Sequence, residues 1–138
     1  MFANAGVFTP TSFLHGTGPP QQWREMVLTN VYGTALTARA SLPHLARTRG
    51  HLVLTGSVSG RVTIPGQLYP ATKWAVTALA QSIRAEVTAA GIRVTLIQPG
   101  LTSAGPTSPG AGPTSPGRAD DPKLAPGDVA RTAAAQQW

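Results

Sequence analysis

Three side chains near the middle of the sequence, Ser57, Tyr69 and Lys73, are of types that could together transfer a proton. Tyr69 and Lys73 are four residues apart, so on a helix their side chains would project from the same face. A free tyrosine titrates near about 10, but a nearby cation favours the phenolate and lowers that pKa. Ser57 would end a strand, where its hydroxyl could hold a substrate oxygen against the phenol. Taken alone, this spacing is more typical of an ordinary surface pair on a helix.

The elements that must position these residues alternate between strands and helices. Residues 1–7 are predicted to contain the end of a strand that stops at Asn4-Ala5-Gly6. Further strands are predicted at 52–55 and 92–98, and long helices at 23–47 and 68–90. Strands that alternate with helices are typical of an α/β fold with a parallel sheet. The first helix is predicted from apolar residues that recur at helical spacing, Met26, Val27, Val31, Leu36 and Ala40, and the second from one apolar stripe, Ala75, Leu79, Ile83 and Val87.

Asn30 lies in the middle of the first predicted helix, where asparagine has poor helix propensity, and Gly33 follows three residues later. Such a pair often marks a local widening or kink of a helix, and these features concentrate at functional sites. The alternative is that Asn30 simply faces solvent.

Composition excludes several classes of protein and site. The 138 residues allow one domain and include no cysteine, so disulfides and thiolate metal sites are excluded; no metal site is predicted. No apolar run reaches the length of a membrane span, and the N-terminus lacks the features of a signal peptide, so we expect a cytoplasmic protein with no membrane association. The net charge of +6 comes from scattered arginines without a basic run or interleaved aromatic residues, so nucleic-acid binding is not predicted.

The sequence changes character after residue 102. Residues 105–110 read Gly-Pro-Thr-Ser-Pro-Gly, and residues 112–117 repeat the same six. This composition predicts a flexible low-complexity loop at 103–126, followed by a short helical tail at 127–138. The structured domain is therefore expected at 1–102.

Several short motifs occur in one order and at compatible spacings, and together they resemble the short-chain dehydrogenase/reductase family. The resemblance covers roughly residues 1–102. It implies the C-terminal part of a Rossmann-like, doubly wound parallel sheet with about three strands and two long helices. The motifs are Asn4-Ala5-Gly6 after the first strand, Asn30 in the first helix, Ser57 after the second strand, Tyr69-x-x-x-Lys73, and Pro99-Gly100 after the third strand.

The resemblance implies an oxidoreductase that transfers a hydride between NAD or NADP and a small carbonyl or secondary alcohol substrate. Tyr69 would be the general acid/base, Lys73 would lower its pKa and bind the nicotinamide ribose, and Ser57 would orient the substrate oxygen. Asn30 would hold a water that links the lysine to solvent. The implied cofactor-binding residues are Asn4, Gly6, Lys73, Pro99, Gly100 and Thr102. Residues that would lie at the pocket wall, and are as often plain packing, are Val7, Phe8, Val62, Ile64, Leu68 and Leu101.

The sequence also departs from the family pattern, because it begins at what would be the fourth strand. The glycine-rich turn and the residue that selects NAD or NADP have no counterpart. Residues 55–60 mimic that turn, but the proline-containing segment after them cannot open a helix. A second interpretation therefore remains open: a catalytically inactive, truncated remnant that at most self-associates as a homo-oligomer through its two long helices.

The predicted topology bears on stability. Right-handed crossovers between three consecutive parallel strands place both connecting helices on one face of the sheet. The opposite face and the edge of the first strand would then be open. We therefore expect the isolated chain to be poorly stable, oligomeric or prone to aggregation.

Overall fold

The structure, a computed structural model, describes residues 1–100. Of these, Met1–Gln98 form one compact unit, and Pro99 and Gly100 belong to a second unit of the chain. The low-complexity loop expected at 103–126 and the helical tail expected at 127–138 lie outside the described residues. The domain boundary at 102 stays a prediction.

Three strands form a parallel sheet in the order β1 (Phe2–Ala3), β2 (His51–Thr55) and β3 (Arg93–Ile97). Each parallel connection runs through helical structure, as parallel pairing requires. The α/β class and the three strands predicted from the sequence are confirmed. Strand β1 ends directly before Asn4, as predicted, and the chain leaves the sheet at the turn that carries the exposed Asn4 and Gly6.

The first helical segment is built from three pieces. Helix α1 (Pro20–Val27) leads into a π-helical segment (Leu28–Gly33), and helix α2 (Thr34–Thr48) continues from it. The wider turn contains Asn30 and ends at Gly33, so the predicted local widening is confirmed. The helix begins before the predicted residue 23, because proline is tolerated in the first turn, where its missing N–H would have no helical partner.

The apolar residues whose spacing predicted this segment do not form its buried face. Of these residues only Met26 is buried, and Leu36 is 42% exposed. The face that is buried consists of Met26, Asn30, Thr34, Ala38 and Ser41.

Helix α3 (Leu68–Val87) and the 3₁₀ turn Thr88–Ala90 together span the predicted second helix, which ends at Gly91 with a φ of 72°. Its predicted stripe is right at Ile83 and Val87 and wrong at Ala75, which is only half-buried. The core brings both helices onto one face of the sheet, as predicted. Its main members are Ala38 of α2, Val76, Ala80, Ile83 and Val87 of α3, Leu52 and Leu54 of β2, and Val94 of β3.

The other face of the sheet is partly open. In the register Phe2 pairs with Val53, and Val53 pairs with Thr95. Phe2 is 38% exposed, whereas Val53 between its two neighbours is buried. On the same face His51 Nε2 lies 2.8 Å from Thr95 Oγ1. Among residues 1–100, no helix is both long enough and apolar enough to cross a membrane.

Candidate active site

The carboxyl ends of the strands meet at one edge of the sheet, where a parallel α/β fold builds its sites. Asn4 follows β1, and its side-chain oxygen Oδ1 accepts a hydrogen bond of 2.8 Å from Thr55 Oγ1 at the end of β2. Gln98 follows β3, and its Nε2 donates to the backbone oxygen of Ser57 at 3.4 Å. These bonds fix the two segments that flank Ser57.

Tyr69 and Lys73 come together in the first turns of α3, as the spacing predicted. Lys73 Nζ lies 5.6 Å from the centroid of the Tyr69 ring. The Lys73 side chain is only 4% exposed, and Nζ donates to the backbone oxygen of Thr55 at 3.2 Å. The ammonium is thus anchored to the end of β2, beside the phenol.

Ser57 completes the group. It is buried, its side chain hydrogen-bonds that of Tyr69, and its Oγ also accepts from the Ser59 backbone N–H at 3.1 Å. The second bond caps the short 3₁₀ helix Val58–Arg61, which turns the chain immediately after β2. The structure therefore brings Ser57, Tyr69 and Lys73 into one cluster.

Burial dominates the electrostatics of this cluster. It raises the pKa of the Tyr69 phenol, because desolvation disfavours the phenolate, and the hydrogen bond with Ser57 acts in the opposite direction. Burial also lowers the pKa of the Lys73 ammonium. With its pKa raised, the phenol holds its proton at neutral pH. The lowering of that pKa by Lys73 stays a prediction.

Asn30 is fully buried in the π-helical segment, so the alternative that it faces solvent is wrong. Its Oδ1 accepts from the Val7 N–H at 2.8 Å, and its Nδ2 donates to the Val7 oxygen at 2.9 Å and to Thr72 Oγ1 at 3.0 Å. Thr72 directly precedes Lys73. Asn30 thereby connects the segment after β1 to helix α3, and its role in holding a water stays a prediction.

Gly6 lies beside both Lys73 and Asn30. A Cβ atom at Gly6 would be 3.4 Å from Lys73 Nζ and 3.5 Å from Asn30 Oδ1, so the missing side chain leaves room next to the ammonium. Pro99 and Gly100 belong to the second unit, and Thr102 lies outside the described residues. Their part in cofactor binding stays a prediction.

Sequence reasoning missed two residues that hold the cluster together. Thr72 links Asn30 to α3, and nothing in its local sequence indicates this, because its partner is 42 residues away. Gly60 lets the loop after Ser57 approach α3 closely: a Cβ there would be 2.7 Å from the backbone oxygen of Lys73. A glycine five residues before the loop proline Pro65 would have been the available signal for Gly60, and it is a weak one.

Comparison with curated proteins finds related oxidoreductases. An uncharacterized oxidoreductase of Staphylococcus aureus strain MRSA252 is 38% identical over 111 residues, which cover 79% of this chain and 46% of the relative. One of Staphylococcus saprophyticus is 35% identical over 104 residues, which cover 72% of this chain and 42% of the relative. The chain therefore spans less than half the length of these relatives.

Solved structures show the same architecture. ElxO with NADP bound is 28% identical with a TM-score of 0.67, over 74% of this chain and 42% of that protein. Acetoin dehydrogenase YohF of Salmonella typhimurium has a TM-score of 0.77 over 96% of this chain and 55% of that protein; at 24% identity this likeness shows the fold alone. The sequence model of the short chain dehydrogenases matches residues 1–109, and the chain belongs to the short-chain dehydrogenase/reductase family.

Proposed function

We propose that this chain carries the proton-transfer machinery of an NAD(P)-dependent oxidoreductase acting on a carbonyl or secondary alcohol. The observation that carries the proposal is the cluster itself: a buried ammonium 5.6 Å from the centroid of a phenol ring, and a serine hydrogen-bonded to that phenol. Family membership supports the reaction class, and ElxO, a structural neighbour, has been solved with NADP bound.

A nicotinamide cofactor, when bound, would supply or accept the hydride. The residues present fit its nicotinamide side, because Lys73 is a hydrogen-bond donor for a ribose hydroxyl and Gly6 leaves room beside that donor. Asn4 lies exposed at the same edge of the sheet. Pro99, Gly100 and Thr102 are proposed as further cofactor contacts by resemblance alone.

The direction of proton transfer follows from the raised pKa of Tyr69. Because its pKa is raised, the Tyr69 phenol holds its proton at neutral pH and acts as a general acid towards a carbonyl oxygen that gains negative charge. The Ser57 hydroxyl donates a hydrogen bond to the same oxygen. The Tyr69 phenolate that remains is stabilised by the Lys73 ammonium, and the reverse step returns the proton during alcohol oxidation.

The surroundings of the phenol favour an apolar substrate flank. The ring of Phe8 meets the ring of Tyr69 edge-on at a centroid distance of 5.3 Å, and Phe8 is 52% exposed. Val62 and Ile64, in the loop that leads to α3, are also about half exposed. A ketone or alcohol with an aromatic or branched aliphatic substituent would bury this surface.

The test begins with titration of NADH and NADPH into the purified chain, followed by assays with a panel of ketones that carry apolar substituents. We expect binding of one cofactor and a rate that Tyr69→Phe lowers by at least about 10²-fold, the contribution typical of a positioned acid. The matched control is Tyr32→Phe, because Tyr32 is the chain's other tyrosine and is 56% exposed. Activity that survives Tyr69→Phe would contradict the proposal.

A second candidate function is a catalytically silent chain that self-associates through its long helices. It is favoured by an exposed apolar stripe, Leu28, Tyr32 and Leu36, at four-residue intervals along the first helical segment. Failure of the folded chain to bind either cofactor, together with a stable oligomer, would support this candidate over the first.

A further inference from the structure

The loop between β1 and α1 contacts the start of helix α3, although the sequence indicated only a connecting segment there. Thr11, in the middle of this loop, is a polar residue that is only 3% exposed. A hydroxyl buried to this degree needs partners, because an unpaired one would cost its full desolvation energy. The partners of Thr11 all lie just before Tyr69.

Thr11 caps the first turn of α3, although it lies in a distant part of the sequence. Its Oγ1 accepts from the Leu68 N–H at 2.7 Å and donates to the Gly66 oxygen at 2.9 Å, while its backbone oxygen accepts from Gln67 Nε2 at 3.2 Å. The residue at the usual capping position, Gln67, makes no side-chain cap, and the first turn contains no acidic residue. A helix start leaves its first N–H groups without helical partners, so Thr11 supplies what the local sequence does not.

The same loop also touches the phenol directly. Phe8 packs edge-on against the Tyr69 ring, three residues before Thr11. The loop itself is held in shape by Trp23, whose Nε1 donates to the Thr17 oxygen at 3.1 Å, and by a bridge between Ser12 and Thr17. Loop and helix start therefore form one connected unit around Tyr69.

We propose that Thr11 is a positioning residue for Tyr69: by capping Leu68 and binding Gly66, it holds the first turn of α3 so that the phenol stays beside Ser57 and Lys73. Without the Thr11 hydroxyl, the Leu68 N–H and the Gly66 oxygen lose a buried partner. The turn that carries Tyr69 would then open to solvent more often. The inference rests on the proposed function only for the role it gives to Tyr69.

The test uses readouts that need neither cofactor nor turnover. With ¹³Cζ-labelled tyrosine, the full chain gives one resonance each for Tyr32 and Tyr69, and Tyr32→Phe assigns them. In Thr11→Val, which keeps the shape and removes the hydroxyl, we expect Tyr69 to ionise at lower pH than in the wild type, closer to an ordinary tyrosine. Thr11→Ser should follow the wild type, because it keeps the hydroxyl.

The matched control is Ser41→Ala, which removes a buried hydroxyl that bonds only within α2, to the Ala38 oxygen at 3.2 Å. It should leave the Tyr69 titration unchanged, which separates positioning from a general loss of stability. A folded Thr11→Val chain whose Tyr69 titrates as in the wild type would overturn the proposal.

Hydrogen exchange of the wild-type chain keeps the proposal testable even where Thr11→Val does not fold. The Leu68 amide should exchange at least about tenfold more slowly than in an unstructured chain, which is the effect of roughly one net hydrogen bond. Exchange of Leu68 at the unstructured rate would overturn the proposal. Because neither readout involves catalysis, a failure of the proposed activity, seen with Tyr69→Phe, remains distinguishable from a failure of this inference.

Discussion

The two long helical segments pack on the same face of the sheet, but the first buries more polar side chains than the second half of α3 does. The first buries Asn30, Thr34 and Ser41, whereas the second half of α3 buries Ala80, Ile83 and Val87. A typical buried hydrogen bond contributes about 1 kcal/mol net, while burial of a large aliphatic side chain contributes about 1.5–3 kcal/mol. The first segment therefore mainly positions the site, and the second half of α3 mainly stabilises the fold.

The polar face of the first segment is tolerated because its groups are paired. Thr34 Oγ1 donates to the backbone oxygen of Asn30 at 2.7 Å, and the Asn30 side chain hydrogen-bonds Val7 and Thr72. Removal of one partner leaves another group buried without that bond. Single substitutions on this face should therefore be destabilising, although the face contributes little apolar burial.

The largest effect is expected from Ile83→Ala in α3. Ile83 is 8% exposed within the core, so truncation should lower the free energy of unfolding by about 2–4 kcal/mol through lost burial and a residual cavity. Urea denaturation followed by circular dichroism measures this. Gln81→Ala, at an exposed position of the same helix, should stay within about 0.5 kcal/mol. A loss below about 1 kcal/mol for Ile83→Ala would remove the distinction between the two segments.

Asn30→Ala tests the polar face and should have the next largest effect. It removes the side-chain partner of the Val7 N–H and of the Val7 oxygen, and one of the two bonds of the Thr72 hydroxyl, and we expect a loss of about 1–3 kcal/mol. Ser41→Ala, which removes one local bond, should cost less than Asn30→Ala in the same denaturation experiment. Equal losses for the two variants would show that the Asn30 contacts add nothing beyond an ordinary helix bond.

Sequence patterns predicted the elements and the central residues of the site well, because these signals are local. The Tyr69–Lys73 spacing places both side chains on one helix face, and the poor helix propensity of Asn30 together with Gly33 indicated the wider turn. The position of Ser57 at the end of a predicted strand indicated the third member of the cluster. Local periodicity and motif spacing contain this much information.

Local sequence patterns did not indicate which face of the first segment is buried. The spacing of apolar residues predicted a helix there, but it did not indicate that Asn30, Thr34 and Ser41 occupy the buried face. The contacts of Thr11 could not be predicted for a different reason: its partners Gly66 and Leu68 are 55 and 57 residues away in the sequence. Only the folded chain brings such residues together.

Lys73→Met should remove a residue of the site without lowering the stability of the fold. A buried ammonium is costly, so at pH 7 the variant should be as stable as the wild type or up to about 2 kcal/mol more stable, although the Thr55 oxygen loses a donor. Folding lowers the pKa of Lys73, so between the folded and unfolded values the unfolded chain binds more protons and wild-type stability rises with pH.

The stability difference between Lys73→Met and the wild type should therefore become smaller as the pH rises towards the ordinary pKa of lysine. Denaturation midpoints measured across that alkaline range check the trend. Arg24→Met, which removes an exposed charge from α1, should show no such narrowing. A variant that is less stable than the wild type at pH 7 would mean that Lys73 supports the fold as well as the site.

The smallest effect on stability, but a clear effect on assembly, is expected on the outer face of the first segment. Leu28, Tyr32 and Leu36 are 41%, 56% and 42% exposed, and side chains four apart on a helix form one stripe. An apolar stripe that the core does not use favours association between copies of the chain. Leu36→Glu should change the unfolding free energy by no more than about 0.5 kcal/mol per folded subunit, yet shift sedimentation towards monomer. Ala46→Glu introduces the same charge at an exposed position of α2 and should leave the assembly intact. If both variants sediment like the wild type, the apolar residues of this face are not an interface, and the contrast between the segments is confined to what they bury.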